Sequence, residues 1–169
     1  NNIAKIQINE LLLALPKSKD ISLFFTMPGA DVDNEVIIKR IKKFTLINKN
    51  AFFFKSLGHI NYFSFLKNID GMVGNSSSGL LEMPYFKKGT INIGNRQTGR
   101  LIAKSVINVK IKKKNIAYAI KKILSKNFQK SIKNNINPYG KPGATQKIIK
   151  ILKKKKMIKI INKRFFDIK

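Results

Sequence analysis

A serine-rich turn follows a short apolar segment near the middle of the chain. Residues Gly71–Gly74 have the composition of a buried strand, and the three serines that follow lie where a helix would begin. Backbone N–H groups at a helix start lack partners, and the positive end of the helix dipole adds to them. Hydroxyls at Ser76 and Ser77 can donate to anion oxygens, while Gly74 and Gly79 would let a ligand approach the backbone. The pattern predicts a diphosphate-binding turn.

A carboxylate and two guanidinium groups lie close to this turn in the sequence. Glu82 follows the serines by one to two helical turns, and a carboxylate beside bound phosphates is unfavourable unless it accepts hydrogen bonds, for which ribose hydroxyls are suitable donors. Pro84 shortens or kinks the predicted helix. After a second apolar strand, Arg96 and Arg100 bracket a Gln-Thr-Gly turn, and a guanidinium suits bidentate phosphate contact. The order of these residues predicts a single site for a nucleotide diphosphate.

These segments closely resemble the C-terminal half of the hydrolysing UDP-N-acetylglucosamine 2-epimerases, the enzymes that start sialic-acid and legionaminic-acid synthesis. The resemblance covers nearly the whole chain and rests on Gly74 to Gly79, Glu82 with Pro84, Asn92 to Arg100, Ser56-Leu57-Gly58, Tyr62, Leu66-Lys67-Asn68, Asn137 to Gly140 and Lys163 to Asp167. Non-hydrolysing epimerases have Asp-Ser-Gly-Gly at the turn and Thr-Glu-Arg-Pro-Glu near the arginine, and neither occurs here. The resemblance therefore favours the hydrolysing branch.

The resemblance implies a UDP-binding role for the residues of the turn. Ser76 and Ser77 would bind the diphosphate of UDP, and Arg96 would lie against the phosphates or the uridine. Glu82 would bind the ribose. The positions that would support these contacts are Gly74, Asn75, Gly79, Gly29 and Arg100.

The resemblance also implies contacts with the base. Leu57 and Tyr62 fall where the family's main chain and aromatic ring contact the uracil. One position departs from the family, because Gly29 stands where many relatives have an asparagine that reaches the nucleotide. We therefore expect one polar contact fewer and weaker nucleotide binding.

The acid and base residues of this family come mainly from an N-terminal half, which we expect to be absent here. The one histidine, His59, lies at a position that the family does not use for catalysis. The resemblance implies conversion of UDP-N-acetylglucosamine, or of UDP-N,N'-diacetylbacillosamine, to UDP and the free 2-epimeric sugar, without a cofactor. It implies two partners besides the substrate, namely the N-terminal epimerase half and further copies in a homo-oligomer. We expect this chain alone to be inactive.

Composition excludes several kinds of site. The chain has 169 residues, no cysteine, one histidine and eight carboxylates, so it has no disulfide framework or thiolate metal site, and we expect no metal site at all. It contains no run of eighteen apolar residues and no signal-peptide pattern, so we expect a cytoplasmic protein without a membrane partner.

The formal net charge of +27 suggests a competing hypothesis, a basic nucleic-acid-binding module. The excess is almost all lysine, mixed with abundant Ile, Asn and Phe, which is the bias expected of AT-rich coding DNA. No recognition helix, zinc knuckle or aromatic platform framed by arginine is visible, so we expect no specific nucleic-acid partner. A glycosyltransferase half of the same architecture is the other alternative.

Apolar runs alternate with amphipathic segments along the chain, which predicts an α/β fold. Strands separated by helices indicate a parallel sheet with helices on both faces, here the nucleotide-binding half of a glycosyltransferase-B-type fold, as the resemblance implies. Ligands bind at the carboxyl ends of such strands, where the loops after residues 26, 55, 74 and 94 would converge. We assign residues 1–156 to one Rossmann-like domain and 157–169 to a tail.

Two helices at the ends of the domain are predicted from their apolar spacing. In the first, the spacing of Ile3, Ile6, Glu10 and Leu13 predicts a helix that Pro16 closes. In the last, Ile148, Ile151 and Leu152 lie opposite lysines.

Overall fold

The computed structural model describes residues 3–30 and 33–154, and they contain seven helices and five strands. The helices are α1 (Ile3–Ala14), α2 (Asn34–Ile47), α3 (His59–Asn68), α4 (Ser78–Leu81), α5 (Lys113–Leu124), α6 (Lys126–Ser131) and α7 (Ala144–Lys154). The strands are β1 (Leu23–Thr26), β2 (Ala51–Phe54), β3 (Gly71–Gly74), β4 (Gly89–Ile93) and β5 (Val106–Val109). The predicted alternation of strands and helices is confirmed from α1 to β4, whereas no helix separates β4 from β5 among the described residues.

All strand pairs are parallel, and in the described part of the chain they form two hydrogen-bonded groups. β1 pairs with β2, while β3, β4 and β5 form a three-stranded sheet with β4 in the middle. In that sheet Gly74 lies opposite Asn92, so the carboxyl ends of β3 and β4 are adjacent. The loops that follow these two strands therefore start side by side, as the predicted site requires.

The hydrophobic core lies between the three-stranded sheet and α5. All five residues of β4 are buried, since this strand is central and covered on both faces. Ile91 and Ile93 pack with Ile116 and Ile120 of α5 and with Ala14 of α1. This packing anchors the strand whose carboxyl end leads into the turn of residues 95–100, called the arginine turn below because it holds Arg96 and Arg100.

The helix predicted from the spacing of Ile3, Ile6, Glu10 and Leu13 is confirmed as α1. Ile3, Ile6 and Leu13 are exposed, whereas Ile8 and Ala14 are buried. The sequence of α1 is apolar on more than one side, so its spacing does not select a face, and contacts with α2 and α5 decide which side is covered.

The described chain divides into two compact units, one ending at Pro138 and one beginning at Tyr139. The second unit contains α7, which is amphipathic as predicted, and its isoleucine and leucine side chains are exposed. The predicted domain boundary at residue 156 and the predicted tail, 157–169, lie outside the described residues.

Candidate functional site

The serine-rich turn joins β3 to α4 at the carboxyl edge of the sheet. Ser77 occupies the N-cap position of α4, and the exposed Ser76 accepts a hydrogen bond at Oγ from the Ser78 backbone N–H, at 3.3 Å. A hydroxyl that accepts in this way still has its proton to donate to a ligand. The turn thus places serine hydroxyls at the surface, beside the start of the helix.

α4 is shorter than the sequence predicts. It is a single turn of four residues, and Glu82 is its C-cap rather than a residue one to two turns into it. Pro84 has no N–H to continue the helix, and the chain turns back so that the Met83 and Lys88 N–H groups bond Ser78 O and Met83 O. A helix of one turn contributes little dipole, so the predicted anion site would depend on the N–H groups and hydroxyls of the serine-rich turn itself.

Packing explains why position 79 is glycine, whereas the sequence predicted that this glycine lets a ligand approach. A Cβ at this position would lie 2.5 Å from Cγ2 of Thr90, and Thr90 Oγ1 donates to the Gly79 carbonyl at 2.9 Å. Gly79 therefore allows α4 to pack closely on β4 rather than allowing a ligand to approach. At Gly74, by contrast, a Cβ would meet open space.

The arginine turn is joined to the serine turn at one backbone carbonyl. Asn75 O accepts a hydrogen bond from Gln97 Nε2 at 2.6 Å and another from Arg96 Nη1 at 3.3 Å. Gly94 and Gly99 have φ values of 77° and 83°, which favour glycine and shape the turn. Arg100 is exposed, and its backbone N–H donates to the Gln97 carbonyl at 3.3 Å. The structure thus brings together Ser76, Ser77, Asn75 and Arg96, and the predicted convergence of these two loops is confirmed.

Tyr62 reaches the same region from α3. Its hydroxyl lies 2.5 Å from Ser78 Oγ, so α3 is joined to the first residue of α4. Burial raises the pKa of the Tyr62 phenol above its ordinary 10.0; the hydrogen bond with Ser78 opposes this rise, and the charge of Glu82 adds to it. The phenol therefore stays neutral near physiological pH.

Glu82 carries a buried acceptor. Its Oε2 has no hydrogen-bond partner among the described residues. A buried carboxylate oxygen without a donor is costly, so a ligand hydroxyl that supplies the donor would be stabilised there. Gln97 Oε1 and Asn92 Oδ1 are likewise buried without a donor.

The remaining predicted positions lie in loops after β1 and β2. Gly29 accepts a hydrogen bond at its carbonyl from Asn34 Nδ2, at 3.4 Å. Leu57 is half-buried beside Gly58, which has φ 66° and precedes α3. Their contacts with a nucleotide stay predictions.

Sequence reasoning missed three residues of this region. Ser78 bonds Tyr62 and Gln97 bonds Asn75, and these contacts join residues 16 and 22 positions apart. Asn137 donates from Nδ2 to the Leu81 carbonyl at 2.8 Å and so caps the end of α4. All three lie in segments that carry the family resemblance, but nothing in those segments indicates which residues they contact.

Residues 3–30 and 33–154 show neither metal nor membrane features. They contain no group of three His, Cys, Asp or Glu side chains arranged to hold a metal ion. None of their helices combines the length and the apolar character needed to span a bilayer. His59 is exposed and packs edge-on against Phe63, with ring centroids 4.9 Å apart.

Comparison with known families assigns the chain. The family model described as UDP-N-acetylglucosamine 2-epimerase matches residues 1–153. The chain belongs to this family. The resemblance inferred from the serine-rich turn and from the segment around Arg96 and Arg100 is thereby confirmed.

Two relatives are similar in sequence over nearly the whole of this chain. The polysialic acid biosynthesis protein P7 of Escherichia coli is 36% identical over 95% of this chain and 41% of its own length. A hydrolysing GDP/UDP-N,N'-diacetylbacillosamine 2-epimerase of Campylobacter jejuni is 38% identical over 96% of this chain and 42% of its own length. The chain therefore spans about two fifths of the length of these relatives.

Solved epimerase structures share the fold. The UDP-GlcNAc 2-epimerase of Methanocaldococcus jannaschii, in complex with UDP-GlcNAc and UDP, has a TM-score of 0.64 at 20% identity and covers 90% of this chain and 41% of its own. A Listeria monocytogenes protein described as a UDP-N-acetylglucosamine 2-epimerase has a TM-score of 0.70 at 15% identity, covering 96% and 44%. The predicted α/β, glycosyltransferase-B-type fold of this epimerase-family chain is confirmed.

Proposed function

We propose that this chain is the UDP-binding half of a hydrolysing UDP-N-acetylglucosamine 2-epimerase. The observation that carries the proposal is the junction at Asn75, where Arg96 is bonded to the same turn that presents Ser76 and Ser77. The two hydroxyls of the serine-rich turn, with the guanidinium of Arg96 bonded beside them, suit the oxygens of a diphosphate. The buried, unpartnered Oε2 of Glu82 suits a ribose hydroxyl in the same ligand.

The substrate of the complete enzyme is UDP-N-acetylglucosamine or UDP-N,N'-diacetylbacillosamine. A base removes the proton at C2 of the sugar, and the C1–O bond breaks with its electron pair passing to the β-phosphate oxygen of UDP. Water then adds hydroxyl to C1 and hydrogen to C2, which gives the free 2-epimeric sugar. In this scheme the proton-transfer groups belong to the remaining three fifths of the relatives' length.

This chain would contribute stabilisation of the leaving group. Negative charge grows on the diphosphate as the C1–O bond breaks, and preorganised donors next to it lower the barrier by about 3–4 kcal/mol each. Ser76, Ser77 and Arg96 are those donors, with the backbone N–H groups of the turn. No protein-bound cofactor takes part in this scheme.

Titration of the chain with UDP tests the proposal. We expect saturable binding that falls about tenfold or more in Ser76→Ala combined with Arg96→Ala, because a charged and a neutral donor are lost together. Ser64→Ala with Lys67→Ala, a matched exposed pair on α3, should bind UDP as the wild type does. Absence of saturable UDP binding would overturn the assignment.

Adding the rest of an epimerase separates this enzyme from a glycosyltransferase of similar architecture. The two parts together should release free 2-epimeric sugar from the UDP-sugar, while the chain alone should release none. Transfer of the sugar to an acceptor, or turnover by the chain alone, would contradict the proposed division of roles.

A further inference from the structure

We propose that Gln97 is a positioning residue of the nucleotide site, and this inference rests on the proposed UDP-binding function. Gln97 holds the carbonyl of Asn75 and thereby orients the backbone of the serine turn toward the diphosphate. Nothing in the spacing of the sequence distinguishes Gln97 from the polar residues around it.

The burial of Gln97 is unlike that of its neighbours. Its side chain is 3% exposed, whereas Asn95, Arg96 and Thr98 in the same turn are exposed. The side chain turns inward and donates from Nε2 to Asn75 O at 2.6 Å, across 22 residues of sequence. This bond is shorter than the 3.3 Å bond from Arg96 to the same oxygen, so Gln97 is the principal partner of this carbonyl.

The hydrogen bond from Gln97 to Asn75 O also orients the Ser76 N–H, because both groups belong to the same peptide unit. The carbonyl of Asn75 and the N–H of Ser76 belong to one planar unit, and the described chain has no cis peptide bond. In a trans unit these two groups point in opposite directions. By fixing the direction of the Asn75 carbonyl, Gln97 fixes the direction of the Ser76 N–H, which is one of the donors of the serine turn.

Packing alone does not explain a glutamine at this position. Its Oε1 is buried without a partner among the described residues, which an apolar side chain of similar size would avoid. A glutamine is favoured over an apolar residue here because its Nε2 donates to the Asn75 carbonyl. Preorganised backbone donors are effective because they need not reorient when charge develops on the ligand.

Binding of UDP and of uridine to Gln97→Leu tests the inference. Leucine has a similar volume and no donor, so we expect UDP affinity to fall about tenfold while uridine affinity stays within about twofold. Thr98→Val, an isosteric change at an exposed position of the same turn, should alter neither affinity. Unchanged UDP affinity, or equal losses for UDP and uridine, would overturn the positioning role.

Gln97→Glu supplies a second readout if the leucine variant does not fold. A carboxylate cannot donate to Asn75 O, but the protonated acid can, and burial raises the pKa of such a carboxyl. The UDP affinity of this variant relative to wild type should therefore recover as the pH falls from about 8 to about 5. A ratio independent of pH would contradict the inference.

Amide hydrogen exchange on the ligand-free chain separates this inference from the proposed function. Exchange at residues 76–79 should accelerate in Gln97→Leu but not in Thr98→Val, while α5 remains as protected as in wild type. Equal exchange in both variants means that Gln97 does not hold the turn, even where the wild type binds UDP. If exchange accelerates in Gln97→Leu as expected but the wild type binds no UDP, the proposed function is overturned instead, and with it the role of Gln97 toward a diphosphate.

Discussion

At the scale of single residues, the site combines donors at the surface with acceptors in the interior. Ser76 and Arg96 are exposed, whereas Glu82 Oε2 and Gln97 Oε1 are buried without donors. Exposed donors suit a multiply charged anion, and buried acceptors suit neutral hydroxyl or N–H groups that can leave water more cheaply. A nucleoside diphosphate offers both kinds of group in one molecule.

Glu82→Gln should reduce UDP affinity about tenfold or more, because hydrogen bonds to a charged acceptor contribute about 1.5–3 kcal/mol. The loss should vanish for 2′,3′-dideoxy-UDP, which lacks the ribose donors. Isothermal titration of both ligands measures the difference. Glu35→Gln, at an exposed carboxylate in the first turn of α2, is the matched control and should change neither affinity. Equal losses for both ligands would contradict a ribose contact.

Tyr62→Phe should change the alkaline stability of the fold. Because the folded-state pKa of Tyr62 is raised above 10.0, mainly by burial, its contribution is fully present below pH 10.0 and is lost as the pH rises through the folded-state pKa. The wild type should therefore lose stability more steeply above pH 10.0 than Tyr62→Phe does. Melting temperatures at successive pH values measure this, and the exposed Tyr118→Phe should follow the wild type.

At the scale of elements, the site depends on how closely α4 approaches β4. Two side chains hold the single turn of α4: Thr90 donates to the Gly79 carbonyl, and Asn137 donates to the Leu81 carbonyl. β4 in turn is fixed by the core that it forms with α5. The serine turn and the arginine turn are therefore positioned by one buried strand.

Gly79→Ala should destabilise the fold by about 1–3 kcal/mol, because the new Cβ would lie 2.5 Å from Thr90 Cγ2. Adding Thr90→Ser removes that methyl group and keeps the hydroxyl that bonds the Gly79 carbonyl, so the double variant should recover part of the loss. Urea denaturation of the single and double variants measures the coupling. Additive effects would show that the two positions do not clash.

At the scale of the whole molecule, charge and apolar surface both favour contact with other molecules. The chain has a formal net charge of +27. Lys110, Lys114 and Lys122 line an open groove beside β5 and α5, together with Tyr118. α1 and α7 each expose large apolar side chains.

Non-specific polyanion binding and UDP binding should respond differently to salt. Affinity for a single-stranded oligonucleotide should fall more than tenfold between about 50 mM and about 200 mM salt, because several phosphate contacts release counterions. UDP makes few charged contacts, so its affinity should fall much less. Fluorescence anisotropy and calorimetry across this range measure the two slopes. Equal slopes would favour the nucleic-acid-binding alternative.

Much of the fold could be predicted from the sequence because strands and helices depend on local composition. The apolar runs at 51–54 and 71–74 are strands within these bounds, and Ile116, Ile120 and Ile123 form the buried stripe of α5. The face of α1 could not be predicted, since its apolar residues surround the helix. Pro84 predicts a short α4, but its end after one turn could not be predicted, because it depends on the contact of Asn137 with Leu81.

By itself, the sequence determined the family, the parallel α/β order and the residue types offered to an anion, because each is carried by short segments with local preferences. Only the tertiary structure decided that Gln97 is buried on Asn75, that Tyr62 bonds Ser78, and that Gly79 serves packing against Thr90. These contacts join residues 22, 16 and 11 positions apart. Which side chain meets which at such separations depends on how β3 and β4 align and how the core is covered, and no local spacing contains that information.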